Sequence, residues 1–557
     1  MKTVMKSFRH LQKRFLKKYP PSRKERLVIF FGTVILLIAV LSASVSLFDS
    51  LKNGKPSPLA ATETAVDPFP SRTITIETPF SEPMTVKEPM FPDRICSITD
   101  YGATASGKML DTDAFRKAID DCAGKGGGKV LVPRGTWLTG PIRLKSNIEL
   151  RIERDATLLF DTDFDSYLPP VFSRFEGIEY ENYSPLISAT DATNVAITGT
   201  GTIDGQGKAW WPMTDRATPF IDQLYAMGDD GVPVSERVFG SEEKGLRPAF
   251  IEFLRSKNIL IEDVTIRNGP MWTIHPVYSS DIIIRGVSIE TNPGPSTDGV
   301  AIDSSSNVLI EGSTFDTGDD AIVLKSGRDK EGMRLHVPTE NVVIRNCTVS
   351  DSHGAIAIGS EMSGDIRNVF ATGIAIDRSQ YGFRIKATRG RGGIVEHVWV
   401  ENVSIKNASI GAIDIVTNYG IPFREYSTQE PIFRDIHIRD FSAEKTRQGI
   451  DVEGLPDQPI QGISFENISL ATGTGIKIRD VDTIDFKNTL ITIKKGTLFT
   501  VIDSANITIA DSPCAAKEAT CLSVSGEKSG NITIQSSAFE KSKIKLSPEV
   551  RPDAVAY

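Results

Sequence analysis

A four-residue phrase recurs along this chain: Asn or Asp, then an apolar residue, any residue, and a second apolar residue. It stands at Asn194-Val195-Ala196-Ile197, Asn258-Ile259-Leu260-Ile261, Asp281-Ile282-Ile283-Ile284, Asn307-Val308-Leu309-Ile310, Asn341-Val342-Val343-Ile344, Asn402-Val403-Ser404-Ile405, Asp435-Ile436-His437-Ile438, Asn506-Ile507-Thr508-Ile509 and Asn531-Ile532-Thr533-Ile534. Starts at 258, 281 and 307, and again at 506 and 531, are 23 to 26 residues apart. That is the length of one coil of a parallel β-helix, in which alternate strand residues face a shared core and Asn or Asp makes the turn before the strand. A sandwich of short strands carries no fixed repeat at this period. The pattern therefore predicts an all-β solenoid.

The region before the repeat divides by composition. Residues 1–26 hold ten Lys or Arg against one acid, Glu25, whereas the whole chain carries a formal charge of -8, which leaves -17 for the rest. A body that acidic is a poor partner for nucleic acid. Leu27 to Phe48 is 22 residues without a charge, long enough to cross a hydrocarbon core of about 30 Å. With basic residues 1–26 kept cytoplasmic, it predicts a transmembrane signal-anchor with an exported body. A secreted protein released by signal cleavage near Ser42-Ala43-Ser44 is the alternative. Residues 49–94, rich in Pro, Thr, Ser and Glu, read as a stalk or linker, and the folded domain is expected over 95–557. At its start Ala114, Phe115, Ala118, Ile119 and Cys122 fall at helical spacing before Gly126-Gly127-Gly128, which predicts a short N-terminal capping helix.

Five cysteines do not make a disulfide scaffold in a chain of this length. Cys514 and Cys521 are close enough in sequence to pair, Cys96 is within reach of Cys122, and Cys347 reads as a small buried hydrophobe. Asn402, Asn467, Asn506 and Asn531 each open a glycosylation sequon, yet the turn-and-strand pattern explains all four without sugar. His397 and His437 lie between apolar strand residues and read as structural or solvent-facing.

Residues one coil apart stack at about 4.8 Å, so polar residues at coil spacing gather on one face. Asp298, the Asp319-Asp320 pair, His353, and Arg384 with Lys386 are spaced to fall on consecutive coils. Three carboxylates, an imidazole and two cations would then share a groove. Paired carboxyls are what glycoside hydrolysis needs, one protonated for the leaving oxygen and one ionised for the water. Crowded like charges raise the pKa of at least one of them.

At these residues the chain resembles glycoside hydrolase family 28, the polygalacturonases, from about Ile95 to the last coils. The resemblance takes in Asp100-Tyr101-Gly102-Ala103, Val132-Pro133-Arg134-Gly135-Thr136, Gly201-Thr202-Ile203-Asp204-Gly205-Gln206-Gly207, Trp272-Thr273-Ile274-His275-Pro276 and Ile358-Gly359-Ser360-Glu361-Met362 as well as the four site motifs. It implies a right-handed parallel β-helix acting on the α-1,4-galacturonosyl linkages of pectin, with inversion and without metal or cofactor. By position, Asp319 would be the general acid and Asp298 and Asp320 would hold and deprotonate the water. His353 would sit beside the acid, Arg384 and Lys386 would grip the sugar carboxylate, and Tyr419 would contact substrate. Ser296-Thr297-Asp298 and Ser352-His353-Gly354 depart from the family's usual Asn-Thr-Asp and Gly-His-Gly.

Three other functions suit the same scaffold: a pectate lyase, which needs Ca2+ among clustered acids and a basic Arg or Lys; a rhamnogalacturonan hydrolase; and a non-catalytic polysaccharide-binding β-helix. The stretch from Met213 to Arg247 interrupts the repeat, and loops that wall off a groove favour attack at a chain end. The expected partners are an acidic polysaccharide and, through the N-terminal helix, a membrane; a monomer is expected.

Overall fold

The computed structural model describes residues 71–420, 429–493, 496–514, 520–536 and 539–556. The basic segment 1–26, the apolar run Leu27–Phe48 and the first part of the expected stalk lie outside the described residues. No helix among the described residues is long and apolar enough to cross a membrane.

The repeated phrase builds the fold through one backbone angle. All nine phrase-opening residues sit at φ between 50° and 58°, the left-handed region that Asn and Asp tolerate better than other residues with a side chain. The turn aims the following strand along its neighbour. Val195, Ile259, Ile282, Val308 and Val342 stack in parallel register, and the row runs on to Ile532. Asn402 opens a different side of the coil, because Val403 pairs with Ile374 and Phe441. Both corners are laddered by side-chain amides. Asn258 donates to Asn194 (2.8 Å) and Asn341 to Asn307 (3.1 Å) at one, and Asn467 to Asp440 (2.9 Å) and Asn488 to Asn467 (2.8 Å) at the other. The sequon residues Asn402, Asn467, Asn506 and Asn531 all spend their amides this way.

Inside, the stacked rows of Ile, Val, Leu and Phe form one continuous core, each side chain contributing about 1.5–3 kcal/mol by burial. The helix α1 (Thr112–Gly124) closes the N-terminal end with Phe115, Ala118, Ile119 and Cys122 buried, as its spacing predicts. The result is a right-handed parallel β-helix.

The expected stalk ends earlier than residue 94. Strands β1 (Arg72–Ile76) and β2 (Met84–Glu88) form an antiparallel hairpin. It lays Ile76, Met84 and Val86 on Ala196, Leu260, Ile283, Leu309 and Val343. Those are the third positions of five successive phrases, which point outward from the coil and are apolar here. An outward apolar stripe needs a cover, and the hairpin supplies it. In the later coils of this row the same position becomes polar, at His437, Ser464, Asp485, Thr508 and Thr533.

A second addition stands on another side. Strands β3 (Val171–Phe175) and β4 (Ile178–Asn182) form a hairpin that packs with α2 (Thr214–Asp229), a 16-residue helix inside the stretch that interrupts the repeat. The parallel strands that carry the site follow: β5 (Val300–Asp303), β6 (Ile322–Lys325), then helix α3 (Asp329–Leu335), β7 (Gly354–Gly359), β8 (Ile366–Lys386), β9 (Ile394–Val416), β10 (Ile432–Glu453), β11 (Ile460–Arg479) and β12 (Thr497–Ile502). Cys514 and Cys521 form a disulfide, whereas Cys96, Cys122 and Cys347 are buried free thiols.

Candidate active site

Strand register decides which side chains meet. Val300 of β5 pairs with Ile322 of β6, Ile322 with Ile356 of β7, and Ile356 with Phe383 of β8. Two residues before each partner stand Asp298, Asp320, Gly354 and Tyr381, a single row across four coils. The row beside it, one residue after each partner, runs Ala301, Val323, Ala357, Arg384 and then Asp414. Lys386 lies in a third row, two residues beyond Arg384 and on the same face of β8. The structure brings Asp298, Asp319, Asp320, His353, Arg384, Lys386 and Tyr419 together.

Asp320 is the hub. Its Oδ2 accepts from Lys386 Nζ at 2.9 Å, and His353 Nδ1 lies 3.2 Å from its Oδ1 and 3.8 Å from Asp319 Oδ1. Burial alone would raise the Asp320 pKa, but Lys386 and His353 outweigh it and hold the carboxyl well below its ordinary range. Burial drives the other two the opposite way: Asp298 goes well above its ordinary value, helped by Asp319, and Asp319 is raised by burial and by Asp320. The trio therefore separates into one carboxylate whose pKa is held down by its partners and two carboxyls whose pKa values are pushed up. Asp319, with its side chain 37% exposed, is the more open of those two; Asp298 is buried.

The cations are held by aromatic rings. Arg384 lies 4.0 Å above Tyr381 and 4.7 Å from the Tyr419 ring centre, and its Nε donates to Asp414 Oδ2 at 2.7 Å. Among the described residues no hydrogen bond engages its two terminal nitrogens. Lys386 Nζ is 5.5 Å from the Tyr419 ring centre, and Tyr419 is fixed by its backbone N–H on Ala387 O at 2.8 Å. Asp319, Asp320 and His353 present ligand atoms within 4.8 Å of one another. The Lys386 ammonium already balances Asp320, which makes this a poor seat for a further cation.

Sequence spacing missed four participants. Asp414 and Tyr381 cradle Arg384. Lys325, buried at the end of β6, is bonded to Glu361 at 2.8 Å and stands 4.6 Å above the Trp272 ring. Arg247 donates through Nη1 to Pro270 O (3.0 Å) and to Pro295 O, three residues before Asp298. Burial lowers the Arg247 pKa to about 10 against the pull of Glu176, Asp298 and Asp319. For Lys325 and Asp414 the signal was present, since each is a charged residue where strand alternation points outward.

The hairpin β3–β4 and α2 make a wall on one side of this site. Phe175, Ile178, Leu224 and Phe239 pack with Trp272 on the outward Ala301, Val323 and Ala357, and the covered stretch stops where Arg384 begins. The wall is pinned by Tyr225, whose hydroxyl bonds Glu176 and whose ring lies under Arg328 at 3.7 Å, and by the buried Arg237–Glu331 pair at 2.6 Å.

Comparisons with known proteins agree on one family. The model for glycosyl hydrolases family 28 matches residues 237–489. A probable polygalacturonase of Vitis vinifera is 35% identical over 386 residues, 67% of this chain and 74% of that protein. An exo-poly-alpha-D-galacturonosidase of Dickeya chrysanthemi is 26% identical over 434 residues, 71% of this chain and 70% of that one. The crystal structure of a hyperthermoactive exopolygalacturonase from Thermotoga maritima superposes with a TM-score of 0.65 at 34% identity, covering 82% of this chain and 95% of that one.

Proposed function

The chain belongs to the glycosyl hydrolases of family 28, and from that premise we propose that it hydrolyses the α-1,4-galacturonosyl linkages of polygalacturonate with inversion, working from a chain end. The observation that carries this reading is the split trio beside two cations. Asp319, the more open of the two carboxyls whose pKa is pushed up, protonates the leaving oxygen. Asp298 and Asp320 hold the water, and Asp320, kept ionised by Lys386 and His353, is ready to take its proton. His353 touches both members of the pair and sets their charge. Arg384 and Lys386 address the uronate carboxylate, Arg by its fork and Lys as a point charge, while Tyr419 lines the sugar's seat.

Attack from the end is supported by the wall over Ala301, Val323 and Ala357, which leaves a bound chain one direction in which to continue. The reading is tested by product sizes over time on polygalacturonate. Small saccharides should appear from the first minutes with no intermediate ladder, and activity should survive a chelator. An unsaturated, ultraviolet-absorbing product would make the enzyme a lyase instead. Asp319→Asn should lose several orders of magnitude in turnover while folding normally.

Residues 27–48 are proposed to anchor the chain, with 1–26 cytoplasmic, a linker from 49 to about 70, and the β-helix exported. The support is the sequence of the run and its basic flank. Carbonate-washed membranes should retain the full-length chain; release of a shortened protein beginning near residue 45 would mean cleavage and secretion. The body is proposed to act as a monomer.

A further inference from the structure

The two rows that hold the cations do not end at the site. Arg384 pairs with Asp414, Asp414 with Asp451 and Asp451 with Lys477, while Lys386 pairs with Val416, Val416 with Glu453 and Glu453 with Arg479. The tripeptide Lys477-Ile478-Arg479 on β11 therefore stands in register with Arg384-Ile385-Lys386 on β8, three coils away. At one strand spacing per coil that is about 14 Å. Ile385 and Ile478 are both fully buried, so in each tripeptide the flanking cations point outward.

The row of the acids continues as well. From Asp298, Asp320, Gly354 and Tyr381 it runs to Gly411, Gln448 and Thr474, and Thr497 follows, two residues before the partner of Ile476. Gln448, Thr474, Lys477, Gly496, Thr497 and Thr500 line an open cavity of about 350 Å3. It is lined by an ammonium, three hydroxyls and an amide, the groups that bind sugar hydroxyls and a carboxylate. Unlike the rows at Ala301, Val323 and Ala357, this stretch carries no apolar wall among the described residues. Lys477 is 37% exposed on its side chain and is held by Glu453 from the neighbouring coil.

We propose that Lys477, with the cavity it lines, and Arg479 two residues further on form a second uronate-binding site that holds the uncleaved part of the polysaccharide roughly three sugar units from the scissile bond. This rests on the assignment of a polyuronate substrate and extends it to a part of the molecule remote from the chemistry. Its function is to keep hold of a long chain between cuts, so it discriminates by polymer length. A short oligosaccharide seated at Arg384 and Lys386 does not span the interval.

The test compares KM for long polygalacturonate with KM for trigalacturonate in the full-length chain. Lys477→Gln and the double substitution with Arg479→Gln should raise the ratio of polymer KM to trimer KM by about three- to tenfold, the range for partly exposed charged contacts. Glu453→Gln removes a repelling carboxylate and frees Lys477, so it should lower that ratio. A merely structural Lys477–Glu453 ion pair predicts otherwise: both single substitutions would lower thermal stability alike and leave the ratio unmoved, and that result overturns the proposal. Equal losses on polymer and trimer overturn it too. Should the wild-type enzyme cleave neither substrate, the fault lies with the substrate assignment rather than with the distal site. Should the double variant fold poorly, Lys477→Gln at its exposed position decides the matter alone.

Discussion

At the scale of single residues, the carboxyl trio holds a conflict between function and stability that can be measured. Burial raises the Asp298 pKa in the folded protein, so the native state prefers this group protonated. Its contribution is complete below the unfolded value of about 3.9 and is lost as pH rises through the folded pKa. Asp298→Asn should therefore raise the melting temperature at pH 7 while abolishing turnover, and the gain should vanish below about pH 4. A variant less stable than wild type at pH 7 would contradict the buried, proton-favouring environment. Asp320 has the opposite sign: its stabilisation is present above about pH 4 and is lost as pH falls. Ser296 offers a gentler case. It sits at φ 52°, where the family usually has Asn, and Ser296→Asn should stabilise by up to about 1 kcal/mol in a denaturant titration because Asn tolerates the left-handed region better. Most of the site was legible in the sequence because its members recur at coil length. Tyr381 was not, since a single tyrosine at an outward strand position carries no charge to mark it until register places it beside Arg384.

At the scale of elements, the phrase predicted the strand row and its turns because left-handed geometry restricts the first position to few residue types. Two things escaped it. The phrase serves two corners of the coil, and nothing in four residues tells them apart; Asn402 is assigned only by the pairing of Val403. From sequence the hairpin β1–β2 reads as stalk because its strands are short and polar on one side. Its trace lay elsewhere, in the apolar third position of five phrases. The hairpin is joined to the solenoid chiefly by Ile76, Met84 and Val86, so a charge at fully buried Val86 should undock it. Val86→Asp should make the segment from 72 to 94 a fast proteolysis site while trigalacturonate turnover stays within about twofold, since the coil rows close without the hairpin. Loss of turnover together with the clip would show that the hairpin supports the coils beneath the site.

At the scale of the whole molecule, a polyanion must approach a body carrying -17 once residues 1–26 are set apart. Enzymes that steer a polyanion with a basic field lose affinity steadily as salt is added. Here the long-range field repels, and attraction is confined to a few side chains. Arg384 and Lys386 are only 5% and 7% exposed, so salt screens them little, whereas repulsion from the outer surface is screened strongly as the Debye length shrinks from about 30 Å at 0.01 M to about 8 Å at 0.15 M. Polymer kcat/KM should rise over that interval. Beyond it, weakening of the more exposed contacts at Lys477 and Arg479 should bring it down again, giving a maximum near physiological ionic strength. Trigalacturonate, with three charges, should show a much flatter curve. A polymer rate that falls monotonically from the lowest salt would mean that the net charge of the body does not govern encounter and that the local cations dominate at every distance.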